Sequence, residues 1–317
     1  MSRDRVIVVG CAFWDTIFRV ERIPQKGEKI LPQRAVQTAS GMATAAAVTI
    51  ARLGGAVSLW TRIGDDRTGR AFVDEVAGEG LSTEGIRRVP GARTWFSTIL
   101  VDQHGERLVV PFIDPALDGN PAWLPLDEIA EAGAVLCDMR WVEGARAAFS
   151  QARRLGVPTI LDADTAPVQD LRSLIRMADH VLFSEPALRS LGTFETPEEA
   201  LLTIAAELDA TVVGVTLGER GSAVWRRDGS GGTVHRFASP KIAAVDTLNA
   251  GDVWHGTYAY GLVHGWAFER TIRAASVAAA IKCERFGGRA GSPTLPELLR
   301  RLQEWERITP NDGQAGA

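Results

Sequence analysis

The chain has 317 residues, 45% hydrophobic and 23% charged, enough for one large α/β unit with a full core and an elaboration. A net charge of −4 and a pI near 5.8 supply no broad basic field, which argues against nucleic acid and anionic membrane as principal partners. Three separated cysteines, Cys11, Cys137 and Cys283, lack C-x-x-C spacing, and there is neither a leader-like start nor a run of about 18 apolar residues; a disulfide framework, a zinc site, secretion and membrane spanning are disfavoured, and a cytoplasmic location is expected.

In chain order, residues 5–10 form a β-branched run ending in glycine and predict a strand, and residues 17–36, charged with alternating apolar positions, predict an antiparallel ribbon. A small-residue helix over 41–53 and a short strand over 57–60 follow. A second ribbon is expected over 94–112, around the turn at Gln103-His104-Gly105. The alternation then resumes with strand 134–137, helix 143–155, strand 158–161, helix 171–177, strand 180–183, helix 197–208 and strand 211–215. Residues 223–236, turning at Asp228-Gly229, predict a hairpin, and residues 253–263 a long helix. Continuous apolar strands separated by helices predict an α/β fold, a doubly wound, mainly parallel sheet with helices on both faces. Residues 309–317, polar and glycine-containing, are expected to fray.

Between apolar residues 242–245 and the last of these helices lies Asp246-Thr247-Leu248-Asn249-Ala250-Gly251-Asp252. Ala250 and Gly251 are small enough to bring backbone N–H groups close to a phosphate, and the helix start adds the positive end of its dipole. Asp252 falls in the first turn, where a carboxylate can take the proton of an attacking hydroxyl. The same residues also read as a plain capped helix, with Asp246 or Asn249 as cap. Upstream, Thr216-Leu217-Gly218-Glu219-Arg220-Gly221 follows a buried strand, and its glycines allow close backbone approach. No G-x-x-x-x-G-K-[ST] occurs, and no G-x-G-x-x-G follows the first strand, which excludes a standard P-loop enzyme and counts against a dinucleotide dehydrogenase.

Residues 246–252 resemble the D-T-x-G-A-G-D signature of the ribokinase-like (PfkB) carbohydrate kinases, with Asn249 where that family usually has glycine. Asparagine tolerates left-handed backbone better than most residues. The resemblance implies a ribokinase-like kinase unit over residues 1–308, with a small β-sheet lid formed by about 15–37 and 93–113; two surface hairpins without a gating role would look the same. It implies ATP and Mg²⁺, room for a monovalent cation, a sugar substrate, and a homodimer paired through the lid. Asp252 carries over as the catalytic base, with the backbone of Asn249, Ala250 and Gly251 supporting the phosphoryl group. Thr216, Gly218, Gly221, Thr247, Lys282 and Gly288 carry over as nucleotide contacts, adenine lying near residues 278–283 and 287–291. The family's N-x-x-E motif reads Ser184-Glu185-Pro186-Ala187, which leaves Glu185 as the carboxylate for the metal. On the acceptor side the family implies Asp15 and Ser40-Gly41 as sugar contacts, while Ala45 stands where ribokinases proper carry a sugar-binding Asn, which disfavours ribose.

Asp138-Met139-Arg140-Trp141, Phe183-Ser184-Glu185-Pro186 and Lys282-Cys283 with Gly287-Gly288-Arg289-Ala290-Gly291 are similar to the sulfofructose kinase branch. That implies phosphorylation of the primary hydroxyl of 6-deoxy-6-sulfofructose, with Lys29 and Arg140 on the sulfonate. A guanidinium at the carboxyl end of a sheet strand suits a multi-oxygen anion. Pro111 stands in place of an Asn of that branch's pocket and has no N–H to donate, and Trp95 replaces a small polar residue. Fructose, tagatose, a 2-keto-3-deoxy sugar acid and a nucleoside therefore stay open as acceptors. A catalytically silent sugar-binding protein stays open too, because of the altered 184–187 motif.

Overall fold

The computed structural model describes residues 3–117, 119–229 and 231–308. Its strands are β1 (Val6–Val9), β2 (Phe13–Arg19), β3 (Arg34–Ser40), β4 (Val57–Gly64), β5 (Ile86–Val89), β6 (Phe96–Val101), β7 (Arg107–Phe112), β8 (Ala134–Asp138), β9 (Thr159–Ala163), β10 (His180–Ser184), β11 (Val212–Thr216), β12 (Ser222–Arg226) and β13 (Thr233–Phe237). The α-helices are α1 (Met42–Arg52), α2 (Arg67–Gly78), α3 (Val142–Leu155), α4 (Val168–Ile175), α5 (Glu185–Ser190), α6 (Pro197–Ala206), α7 (Ala250–Val263), α8 (Phe268–Cys283) and α9 (Leu295–Ile308). The tail at 309–317, expected to fray, lies outside the described residues.

Nine strands form one sheet in the order β13-β12-β11-β10-β9-β8-β1-β4-β5. The strands from β11 to β5 in that order are parallel; at one edge β12 runs against β11 and β13 against β12, so β12 alone is reversed. Successive residues of a strand point to opposite faces, so β1 divides its apolar run between two cores. Ile7 and Val9 pack with α3, α4 and α6 on one side, and Val6 and Val8 with α1, α7 and α8 on the other. Residues 67–78 and 268–308, where the sequence pattern predicted no element, form α2, α8 and α9. The Ala-rich α8 is buried along most of its length, so it lacks the polar face that makes a helix legible.

The two expected ribbons exist and are joined. β2 pairs antiparallel with β3 and β6 with β7, while β2 and β6 run side by side in parallel, giving a second sheet ordered β3-β2-β6-β7. Its inner face carries Ile17, Ile99 and Val101, which pack against Leu248 and Phe286 of the main unit. Pro111, without an N–H, is accommodated because β7 is an edge strand.

The chain leaves β1 toward β4 on one side and enters β8 on the other, so a crevice opens beyond the carboxyl ends of β1 and β8. Asp138, at the end of β8, holds it together. Its carboxylate accepts the N–H groups of Cys11 (2.8 Å), Ala43 (3.1 Å) and Arg140 (2.8 Å). A side chain at Gly10 would lie 2.1 Å from that carboxylate, so no other residue fits there.

Candidate active site

The turn before α7 is organised from below by Asp246, which is fully buried. Its carboxylate accepts the N–H of Leu248 (2.8 Å) through one oxygen and those of Gly287 and Gly288 (2.9 Å each) through the other. Asn249 follows with φ 61°, the one non-glycine in the left-handed region among the described residues, as its tolerance for that region anticipates. α7 then begins at Ala250. The first N–H groups of a helix have no partner within it; that of Ala250 turns back to the Thr247 carbonyl (3.3 Å), and those of Gly251 and Asp252 remain as donors. A Cβ added at Gly251 would meet nothing within 4 Å, so its α-carbon faces open cleft rather than protein.

Asp252 is nearly buried yet lines a cleft of about 1430 Å³. Burial pushes its carboxyl up to about 6; the Asn249 amide, donating at 2.6 Å, pulls it down, while the charges of Asp164 and Asp138 push it up and Arg107 opposes them. Asn249 thus supplies the turn's backbone conformation together with a hydrogen bond that the family's usual glycine cannot make. A carboxylate with that value is ionised at neutral pH and still basic enough to accept a proton.

The acceptor end of the cleft pairs a polar floor with an apolar wall. Asp15 is buried, and burial raises its carboxyl to about 6, with the Ser40 and Ser97 hydroxyls and the Arg289 charge offsetting part of the rise. Although the Ser40 hydroxyl lies close enough to Asp15 to lower its carboxyl, Asp15 Oδ1 and Ser40 Oγ are not in hydrogen-bonding geometry with any described residue, which leaves them available to hydroxyl groups in the cleft. Gly41, at φ 104°, opens α1; a Cβ there would lie 2.6 Å from the Cys11 carbonyl. Phe13, Ile99 and Pro111 line the cleft from the same face of the second sheet as Asp15, and Ile113 follows them after β7. Trp95 is buried behind this wall, beside Phe13 with its indole N–H donated to the Asp114 carbonyl, and does not line the cleft. Arg140 does, its guanidinium donating to the Thr165 carbonyl (2.6 Å) and to Asp164 (3.0 Å).

At the other end, Thr216, Gly218 and Gly221 line the cleft after β11, with Thr247 beside the phosphate turn. Gly221, at φ 85°, leaves no room for a side chain, because a Cβ would lie 1.9 Å from the Phe237 carbonyl. Four expected contacts stand elsewhere. Lys29 is exposed in the loop between β2 and β3 and does not reach the cleft. Lys282 is fully buried with its ammonium on Asp246, so it is not a nucleotide contact from the cleft wall. Gly288 is turned toward Asn249 and uses its N–H on Asp246. Glu185, expected to help hold Mg²⁺, does not fit that role. Arg189 and Arg220 both grip its carboxylate and hold it below the ordinary carboxylate range. Among the described residues no group of three or more acids, histidines or cysteines is arranged to hold a metal.

The fold also brings to the cleft side chains that the motifs did not single out. Asp162 and Asp164 come from the end of β9, and Asp164 accepts the Ser184 hydroxyl (2.8 Å) besides gripping Arg140. An acid at the carboxyl end of a parallel strand is the signal that would have found them. His255, buried one turn beyond Asp252, is held near pKa 4 by burial and is therefore neutral, with Nδ1 2.7 Å from the Gly251 carbonyl. Arg107 reaches from β7 to donate to the Thr247 hydroxyl (2.7 Å), and Arg19 of β2 donates to the Val245 carbonyl (2.5 Å). The second sheet therefore touches the turn before α7 directly.

The profile of the pfkB family of carbohydrate kinases matches residues 3–295. Ribokinase from Lactococcus lactis is 25% identical over 306 residues, covering 95% of this chain and 98% of that protein. A crystal structure from Agrobacterium tumefaciens, provisionally described as a ribokinase, is 41% identical, covers 96% of this chain and 99% of its own, and superposes with a TM-score of 0.92. Ribokinase from Thermotoga maritima superposes with a TM-score of 0.81 at 25% identity, covering 94% and 99%.

Proposed function

This chain belongs to the pfkB family of carbohydrate kinases and is an ATP-dependent kinase, and from that premise we propose that it phosphorylates the primary hydroxyl of a ketose, best matched by 6-deoxy-6-sulfofructose, to give the 1-phosphate. The observation that carries this reading is Asp252, nearly buried and ionised at neutral pH, in one cleft with the polar floor at Asp15 and Ser40 and with Arg140. Asp252 accepts the proton of the acceptor hydroxyl as its oxygen bonds to the γ-phosphorus and the bond to the ADP oxygen breaks. The N–H groups at the start of α7 receive the transferring phosphoryl charge. Asp15 accepts hydrogen bonds from adjacent sugar hydroxyls. Magnesium enters with ATP as the family implies, and no side chain of the 184–187 segment is assigned to it.

Arg140 is the residue that favours an anionic sugar, since Lys29 stands away from the cleft. A second reading has its own observation. Asp164 already partners Arg140, and Ile99, Pro111 and Ile113 form the facing wall, which suits an uncharged acceptor such as fructose or tagatose. One coupled ADP-release assay across sulfofructose, fructose, tagatose, a 2-keto-3-deoxy sugar acid, ribose and a nucleoside separates the two. A kcat/KM for sulfofructose below that for fructose ends the sulfosugar reading.

The second sheet acts in this proposal as a lid, with Arg107 and Arg19 as its contacts to the phosphate turn. Its outer face carries Phe18, Leu100, Leu108 and Val110 in adjoining register, with Leu108 and Val110 exposed, and it presents β3 and β7 as open edges. A second copy of the same sheet covers such a surface most simply. Three buried, free cysteines suit a reducing compartment.

A further inference from the structure

A buried carboxylate beneath the phosphate turn requires a nearby positive charge, because an uncompensated ion in the interior is costly. Asp246 and Lys282 are both fully buried, with Lys282 Nζ 3.3 Å from Asp246 Oδ1 and donating to the Asp246 main-chain carbonyl at 2.5 Å. The remaining contacts of that carboxylate are the N–H groups of Leu248, Gly287 and Gly288. The last carbonyl of α8, from Cys283, accepts the N–H groups of Val245 (2.8 Å) and Asp246 (3.1 Å). One ammonium and one carboxylate thereby tie the end of α8, the loop at 287–288 and the turn at 246–249 into a single unit.

We propose that Lys282 is a tethered monovalent cation that positions the phosphoryl-binding turn, so that this kinase needs no free potassium, sodium or ammonium ion. A desolvated alkali ion and an ammonium carry the same charge, and both are satisfied by carbonyl and carboxylate oxygens. The oxygens that a free ion would seek at Asp246 are already engaged by Lys282 and by three N–H groups. A free monovalent cation, which the family resemblance allows, therefore does not fit at this carboxylate. Burial pulls the Lys282 ammonium below its ordinary pKa and Asp246 pulls it back up; a neutral amine would leave Asp246 uncompensated. Lys282 touches no part of the cleft, so it is a positioning residue rather than a catalytic one.

The inference holds for whichever sugar is accepted, and its first test needs none. Thermal melting and ADP affinity of the wild-type protein are compared in potassium chloride and tetramethylammonium chloride at equal ionic strength, the expectation being affinities within about twofold and closely similar melting temperatures. A rise in ADP affinity of about fivefold or more that saturates with potassium overturns the proposal. Turnover with the best acceptor from the sugar panel is expected to be equally indifferent. Lys282→Ala vacates the ammonium's place and is expected to lose about tenfold or more in kcat/KM, with potassium, ammonium or methylammonium restoring most of it; Lys282→Met fills that place and is expected not to respond. A Lys282→Ala enzyme with wild-type turnover and no response to any cation also overturns it. Should both variants fail to fold, the wild-type comparison decides.

Discussion

The phosphate turn and the sheet above it face one cleft but are built differently. Residues 246–252 present main-chain N–H groups and the Asp252 carboxylate to the cleft, held by hydrogen bonds that are buried or partly buried. The sheet of β2, β3, β6 and β7 works through side chains from four strands, and it meets the turn through a few long contacts such as Arg107 on Thr247. Backbone chemistry tolerates little substitution, so the reacting end is fixed. Side chains on a separate sheet can be exchanged one at a time, so the end of the cleft under that sheet can change without disturbing the turn. In this chain that end holds Pro111 and lacks Lys29.

If the turn carries the chemistry, Asp252→Asn gives the largest loss, about 10²-fold or more in kcat on every sugar, with the fold intact by circular dichroism. Near-wild-type turnover from that variant would dissolve the contrast. If the selecting end lies across the cleft, Arg140→Ala costs about tenfold or more in kcat/KM on sulfofructose but under about threefold on fructose. Equal losses on the two sugars would place Arg140 in the framework instead.

Titration sharpens the comparison further. Ionised Asp252 is the working base, so kcat/KM is expected to climb with pH through about 6 and level off above it. Stability runs the other way. Asp252 and Asp15 both have carboxyls raised to about 6 from 3.8, so between those values the folded protein binds more protons than the unfolded chain, and stability falls as pH rises through that window. Asp252→Asn is therefore expected to melt about 2 °C or more above wild type at pH 8 while being nearly inactive. Asn249→Gly keeps the left-handed backbone but removes the amide on Asp252, so the acid limb of the pH profile moves to higher pH while turnover at pH 8 changes by less than about threefold. Val110→Asp, on the outer face of the lid sheet, should leave chemistry nearly untouched and yield monomers in sedimentation; a persistent dimer would remove the lid as its interface.

The strand-helix alternation was legible because a continuous apolar run of about four residues has few places to go other than a covered parallel sheet, and β1, β8, β10 and β11 fall within a residue or two of their expected positions. α2, α8 and α9 were not read: α8 is buried along most of its length and shows no polar stripe, while the start signals of α2 at Asp66 and of α9 at Thr294-Leu295-Pro296-Glu297 are short and were passed over. In the site, Asp252 and the small residues before it were visible because their chemistry depends on neighbours in sequence. Lys282, Gly288, Glu185 and Lys29 were assigned by resemblance, and none of them lines the cleft, because the deciding partner, Asp246, Arg220 or open solvent, comes from another part of the chain or from none.

By itself, then, the order of residues determined the class of fold, the helix start after Asn249 and the carboxylate in its first turn, since periodicity and local backbone geometry act over a few residues. Only the folded chain decided that β2 and β6 pair in parallel to build one roof, that Asp162 and Asp164 join the cleft, and that a lysine lies buried on Asp246 instead of on a nucleotide. The physical reason is that burial and charge pairing depend on what stands across the core, and residues 36 or 140 positions apart are set face to face only when the sheet has closed.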